Sequence, residues 1–402
     1  MINVFGRSRR RFQLNIVRGV GVLVMVGISS GVQAQTSGVA PDAENAASQY
    51  WLAFSECRSH AQCVDLATGD DEKFGFAVPV GEELASYFQG HGEQALIYLH
   101  RGAALSRCEW GTDLRKGPVR GFAGSQIYGE KAHYLARVAL LRARWRFEHG
   151  DWDGGIDDVM ATLALGRHLG RDKICVSVHF GCMLTGMSTF TPAVYLRQMP
   201  AQARRRLARQ LKALPPATPM REVVLNHKKL IDWAIEKFQN AKDQEQLFAL
   251  LVSISDQPYA EKIFQLADTA ARLVKLAEAA RPLADQIADA TSLRPDAYDK
   301  LYQEQFAPQL AANPLAEPLG SWYLEARDEE STGDCRIALL LAAIDIVDRG
   351  EIALKDHPDP YGDGLFRYSP FDDGFQLGSK LVYGDLGVEM DFGLRKKMAT
   401  QH

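Results

Sequence analysis

Ala136-Arg137-Val138-Ala139-Leu140-Leu141-Arg142-Ala143-Arg144-Trp145-Arg146-Phe147-Glu148-His149 runs into Gly150-Asp151-Trp152-Asp153-Gly154-Gly155 and continues as Ile156-Asp157-Asp158-Val159-Met160-Ala161-Thr162-Leu163-Ala164-Leu165-Gly166-Arg167-His168-Leu169. On both sides of the glycine-containing break, apolar residues return every three or four positions, the period of a helix with one buried face. The spacing predicts a first helix over Ala136–His149 and a second over Gly155–Leu169. Gly150 frees the backbone to end the first, and an Asp caps the second. Trp152 and Ile156 are expected to pack between the two, with Trp152 largely buried.

The same period extends from Pro41 to about Arg281, and long stretches lack the alternation of strands. Breaks fall at Gly170-Arg171-Asp172, at Pro200 and at Leu214-Pro215-Pro216, and Ser255-Asp256-Gln257-Pro258 restarts a helix. Helices joined by tight turns lie antiparallel to their neighbours. After Pro358 the chain turns rich in Gly, Asp, Tyr and Phe. Cys335–Val347 reads as an apolar helix, and Leu365–Tyr368, Gly374–Leu377 and Lys380–Tyr383 as short strands between turns. The expected fold is mainly α: an antiparallel helical-hairpin stack over residues 35–333, then a small helix-plus-β-hairpin module over 334–402.

Residues 1–34 read as an export signal. Arg7, Arg9, Arg10, Arg11 and Arg18 form a basic leader, Gly19–Val32 is apolar, and Val32-Gln33-Ala34 ends it with cleavage expected after Ala34. The apolar run is shorter than the roughly 20 residues of a spanning helix, so no stable membrane anchor is expected after cleavage. The chain is therefore expected in the periplasm or outside the cell. Ser8, Arg9, Arg10 and Phe12 resemble the twin-arginine export motif, while Gln13-Leu14 departs from it, and the general secretory route stays open. The 46 Lys and Arg against 50 Asp and Glu leave a net charge of −4, which argues against a nucleic-acid partner.

Gly150-Asp151-Trp152-Asp153-Gly154-Gly155-Ile156 resembles the turn of a tetratricopeptide unit, commonly Gly-Asp-Tyr-Asp-Glu-Ala-Ile, which implies one helical hairpin of that kind. Asp359-Pro360-Tyr361-Gly362-Asp363-Gly364-Leu365-Phe366-Arg367-Tyr368, with Asp373-Gly374-Phe375-Gln376-Leu377, resembles the carboxy-terminal sheet of type II secretion pseudopilins. The chain lacks that family's long amino-terminal helix and its calcium loop, so the likeness implies a small module and not a pilus subunit. Leader, hairpin body and tail together resemble a group of exported bacterial proteins that brings no activity with it.

Three sets of residues carry possible chemistry. Cys57 and Cys63 are close enough to close a short disulfide loop, as suits an oxidising compartment; with His60 between them, free thiols or a soft-metal clasp are the alternatives. Cys175, His179, Cys182, Met183 and Met187 fall on one helical face, with ligand types that suit copper. Cys175 and Cys182 are nonetheless roughly 10 Å apart along an unbroken helix, too far to share one ion or form a disulfide. A complete site needs a neighbouring helix, for instance His168 or Cys108, and a buried stripe of core residues is the alternative. Glu109, Trp110 and Asp113 lie in a glycine-containing break and form a candidate binding surface, although such a Trp also serves to anchor a loop.

No nucleophile elbow, paired-His zinc helix, Gly-Lys-Ser phosphate loop or Cys-x-x-Cys pair occurs, and no catalytic residue or cofactor is assigned. The reading that results is an exported, non-enzymatic scaffold that binds another exported or envelope protein or a peptide. The alternative is a periplasmic enzyme or copper-handling protein with its site between helices.

Overall fold

The computed structural model describes residues 44–58, 79–90, 92–117, 124–255, 257–383 and 386–394. The expected leader over 1–34 and Cys63 of the candidate disulfide lie outside them; Cys57 is half-buried near the end of the first described helix. The described chain is mainly helical: α1 (Ala46–Arg58), α2 (Glu82–Gln89), α3 (Glu93–Ala103), α4 (Gly124–Glu148), α5 (Trp152–Leu169), α6 (Cys175–Tyr195), α7 (Ala201–Ala213), α8 (Met220–Gln239), α9 (Gln244–Ile254), α10 (Gln257–Leu266), α11 (Ala270–Ala290), α12 (Pro295–Leu301), α13 (Ala307–Ala312) and α14 (Glu317–Arg349). An antiparallel sheet closes the chain, with β1 (Arg367–Phe371), β2 (Gly374–Tyr383) and β3 (Leu386–Phe392) in that order. Among the described residues no helix is long and apolar enough to cross a membrane.

The compact units are not consecutive in sequence. Described residues of Asp42–Gly111, Gln126–Pro219 and Ala326–His402 form one, and those of Thr112–Ser125 and Met220–Glu325 the other. The boundary expected at 334 falls inside α14, a single helix of 33 residues.

In the first unit, the α4–α5 hairpin is built as its sequence foretells. Gly150 takes φ +79°, and the Asp151 side chain accepts from Gly154 N at 3.0 Å to cap α5. Phe147, Ile156, Val159 and Leu163 are buried between the helices and their neighbours. Trp152 is only half-buried, contrary to expectation. It is the first residue of α5, so its ring lies at the end of the hairpin, stacked on Phe147 with centroids 5.8 Å apart, and one side meets solvent.

A close helix crossing then sets α6 in place. A Cβ built on Gly181 would lie 2.6 Å from the carbonyl oxygen of Gly166, so α5 and α6 meet backbone to backbone where only glycine fits. Cys335, Leu339 and Leu340 of α14 and Phe375, Leu377, Val388, Met390 and Phe392 of the sheet belong to one core with Leu140, Phe147 and Leu163. Asp359 pins the turn before the sheet against β2. It accepts from Ser379 Oγ and from the Lys380 amide, each at 2.7 Å, beside the register shift between Gly378 and Val382. The segment Lys380–Tyr383, expected as a separate strand, is the second half of β2, because Asp359 supports the chain through that irregularity. β3 was not expected; Val388, Met390 and Phe392 alternate inward along it.

In the second unit, α8 packs along α11, with Val224, Ile231, Leu283 and Ile287 buried. Phe238, Leu247, Leu251, Ile263 and Leu273 form a second cluster among α8 to α11. Asp243 caps α9 and Thr269 caps α11. A small cleft among Ile231, Leu283, Ile287, Leu310 and Tyr323 is apolar and gathers no acidic or basic side chain.

Candidate functional site

The stripe Cys175, His179, Cys182, Met183 lies on α6 as one unbroken helix, and α14 supplies what faces it. His179 Nδ1 is 2.6 Å from Glu329 Oε1, a Cβ at Gly333 would lie 4.0 Å from Cys182 Sγ, and a Cβ at Gly186 would run into Arg336 Nη1. The three pairs climb both helices together, so α6 and α14 run parallel along this seam. Glycines on either side allow the approach. The sheet closes one end: Tyr383 Oη donates to Glu329 Oε1 at 3.4 Å.

The seam holds more charge than the sequence suggests. Glu329 is buried, and its Oε2 has no hydrogen-bond partner. Arg327 donates to Glu330 at 2.9 Å and to Ser331 Oγ at 2.8 Å, and Arg167 lies 3.7 Å from Asp334. Burial pulls the Arg336 guanidinium below the ordinary arginine range, against the opposing charge of nearby Glu329. Burial and then the charges of Glu329 and Glu330 push the Cys182 thiol well above its usual value. Cys175 is buried and Met183 half-buried on the same helix.

The partners named from sequence go elsewhere. His168 forms a 2.7 Å hydrogen bond with Tyr50 Oη, and Cys108 sits near the same tyrosine. Burial pushes the Cys108 thiol up to about 12 and the Cys335 thiol up to about 11. Thiols held in the protonated form are poor nucleophiles and poor ligands. Among the described residues no three His, Cys, Asp or Glu side chains come together as a metal-binding group.

Glu109, Trp110 and Asp113 are each engaged. Trp110 is half-buried, stacks on Tyr128 at 4.4 Å, and donates Nε1–H to the His168 carbonyl at 2.8 Å. Tyr50 and Phe54 lie parallel to the same ring. Trp110 anchors its loop. Glu109 is exposed, pairs with Arg107 at 2.9 Å, and has its backbone tied to Asn45. Asp113 belongs to the other unit, where it caps the Leu114–Lys116 turn and pairs with Arg115 at 2.9 Å.

A second charged cluster, missed from sequence, lies in the α4–α5 hairpin. Asp158 is fully buried and meets His100 Nε2 at 2.7 Å, Arg142 at 2.5 and 2.9 Å, and Arg146 at 3.0 Å. Burial alone would raise its carboxyl; the His100 and Arg142 hydrogen bonds and the two arginine charges outweigh that and hold it below the ordinary range. Every carboxylate oxygen is occupied, so this cluster is a clamp between helices.

The chain matches no protein-family model, no curated protein and no solved structure. The functional reading therefore rests on the geometry and the sequence alone.

Proposed function

We propose that the protein is an exported, non-enzymatic scaffold of tetratricopeptide-like helical hairpins that binds another exported or envelope protein or a peptide. The observation that carries this reading is Trp51, a tryptophan 41% exposed on α1. Phe54 meets its ring edge-on at 5.6 Å, and the Lys131 ammonium of α4 lies 5.6 Å from its centroid. Ile127, 51% exposed, precedes Lys131 by one helical turn on the same face of α4. An exposed tryptophan beside an aliphatic side chain and a cation has the composition of an interaction hot spot. The basic leader with its apolar run supports export. Asp158, His168 and His179 are taken up in pairing, and the Cys108 and Cys335 thiols are buried and protonated, which supports binding over catalysis.

The test is retention from an envelope extract by the immobilised mature chain, compared with Trp51→Glu combined with Ile127→Glu. A partner held by the wild type is expected to be lost from the variant, with helical circular dichroism unchanged. Equal retention by both proteins would refute the role of this face.

A further inference from the structure

Between Asp172 and Glu222 the chain carries no acidic residue, although its net charge as a whole is −4. The cations of this stretch gather on and just before α7, whose buried side is Ala203, Leu207 and Leu211. Neighbouring elements neutralise two of them: Arg204 pairs with Asp348, and Arg206 with Asp157 at 2.6 Å and Asp153 at 3.0 Å. Arg205, Arg209 and Lys212 are exposed and, among the described residues, have no carboxylate within ion-pair distance. Spaced by four and three positions, they form one row about 10 Å long on the side away from the core. Arg197, in the turn before the helix, is exposed and lacks an acid in the same way. Like charges one helical turn apart, such as Arg205 and Arg209, weaken the helix that carries them.

We propose that the row Arg205, Arg209 and Lys212, with Arg197, is a docking surface for an anionic phospholipid membrane. The face offers charge and little else: Ala201, Gln202 and Ala208 stand between its cations, with no aromatic or large aliphatic side chain among them. A protein partner is held by aromatic or arginine anchors seated in desolvated pockets. A plane of lipid phosphates needs only cations within the screening distance, which long side chains on one helix face supply. Each basic residue near such a plane strengthens binding about fivefold, so four favour it several hundredfold over a neutral bilayer. The attachment is reversible and released by salt, unlike an anchor. It is separate from the Trp51 face of α1 and α4 and does not depend on it.

Co-sedimentation of the mature chain with lipid vesicles tests this. Phosphatidylcholine vesicles with about one third phosphatidylglycerol are expected to bind it at low salt and to release it after an about tenfold rise in salt, whereas pure phosphatidylcholine leaves it in solution. Arg205→Gln, Arg209→Gln and Lys212→Gln together are expected to weaken binding about a hundredfold, with helical circular dichroism unchanged because all three are exposed. Arg205→Lys with Arg209→Lys is expected to bind as the wild type does, since a headgroup plane reads charge and not the guanidinium fork. Lys229→Gln, Lys242→Gln and Lys275→Gln, exposed on the other unit, change the net charge equally and are expected to leave binding intact. Equal sedimentation with neutral vesicles, indifference to salt, full binding by the α7 glutamine variant, or equal loss in the Lys229, Lys242 and Lys275 variant overturns the proposal. Tighter binding to polyglutamate than to the anionic vesicles assigns the row to an acidic protein and overturns it as well.

Discussion

Asp158→Asn is expected to destabilise the first unit by about 3–5 kcal/mol, the range for removing one partner of a buried ion pair. The carboxylate is fully buried and is the common acceptor for His100, Arg142 and Arg146. Asparagine retains the shape but leaves Arg142 without the Asp158 charge and Arg146 with only Asp151, 3.4 Å away. Replacing Asp158 with Leu and Arg142 with Met together is expected to recover part of the loss, since an apolar pair needs no counter-ion. Urea unfolding of the three proteins decides the matter. A loss below about 1 kcal/mol for Asp158→Asn would place the clamp among surface-like ion pairs.

Acidification is expected to weaken both units between pH 6.5 and 4. Burial, with the Arg171 charge adding to it, pushes His168 down to about 4, and burial pushes His227 down to about 3. Below about pH 6.5 an unfolded histidine binds a proton that the folded one refuses. Each contribution is therefore complete above pH 6.5 and is lost as pH falls through the folded value. For His168 the loss amounts to about 3 kcal/mol, approaching 1.4 kcal/mol per pH unit. Asp158 adds to the same trend at still lower pH, because its folded carboxyl is depressed. In urea titrations from pH 7 to 4, His168→Gln is expected to flatten the pH dependence of the first unit. Stability independent of pH over that range would contradict the buried, neutral assignment.

The helical layer was legible because one period governs it. The 3- and 4-residue recurrence in Leu135, Val138, Ala139, Leu141 and Ala143 needs no tertiary information, and the Gly150-Asp151 break carries its own stop and cap. Extent was less legible. α4 begins at Gly124, well ahead of Ala136, since Gly129 and Gly124 weaken the pattern; Gly129 is there because a Cβ would strike the Phe180 ring. Gly154 and Gly155 likewise read as poor helix formers, and the structure puts Asp151 and Phe147 against them.

The seam was half legible. The α6 stripe follows from spacing alone, but the sequence offered thiols and thioethers as its chemistry, and the structure sets His179 against a carboxylate instead. Glu329, Gly333 and Arg336 recur at four and three residues along α14, the same helical signal, hidden because the apolar run from Cys335 drew the helix start too late.

The central claim, an exported partner-binding protein, is met most directly by a photo-crosslinking residue placed at Ile127 in a bacterial host that expresses the full chain, followed by fractionation and mass analysis. The expected result is a chain lacking its first 34 residues, joined in the periplasmic fraction to one defined protein or peptide, with the adduct lost on Trp51→Glu. A chain that keeps its leader in the cytoplasm, or one that forms no defined adduct, would contradict it.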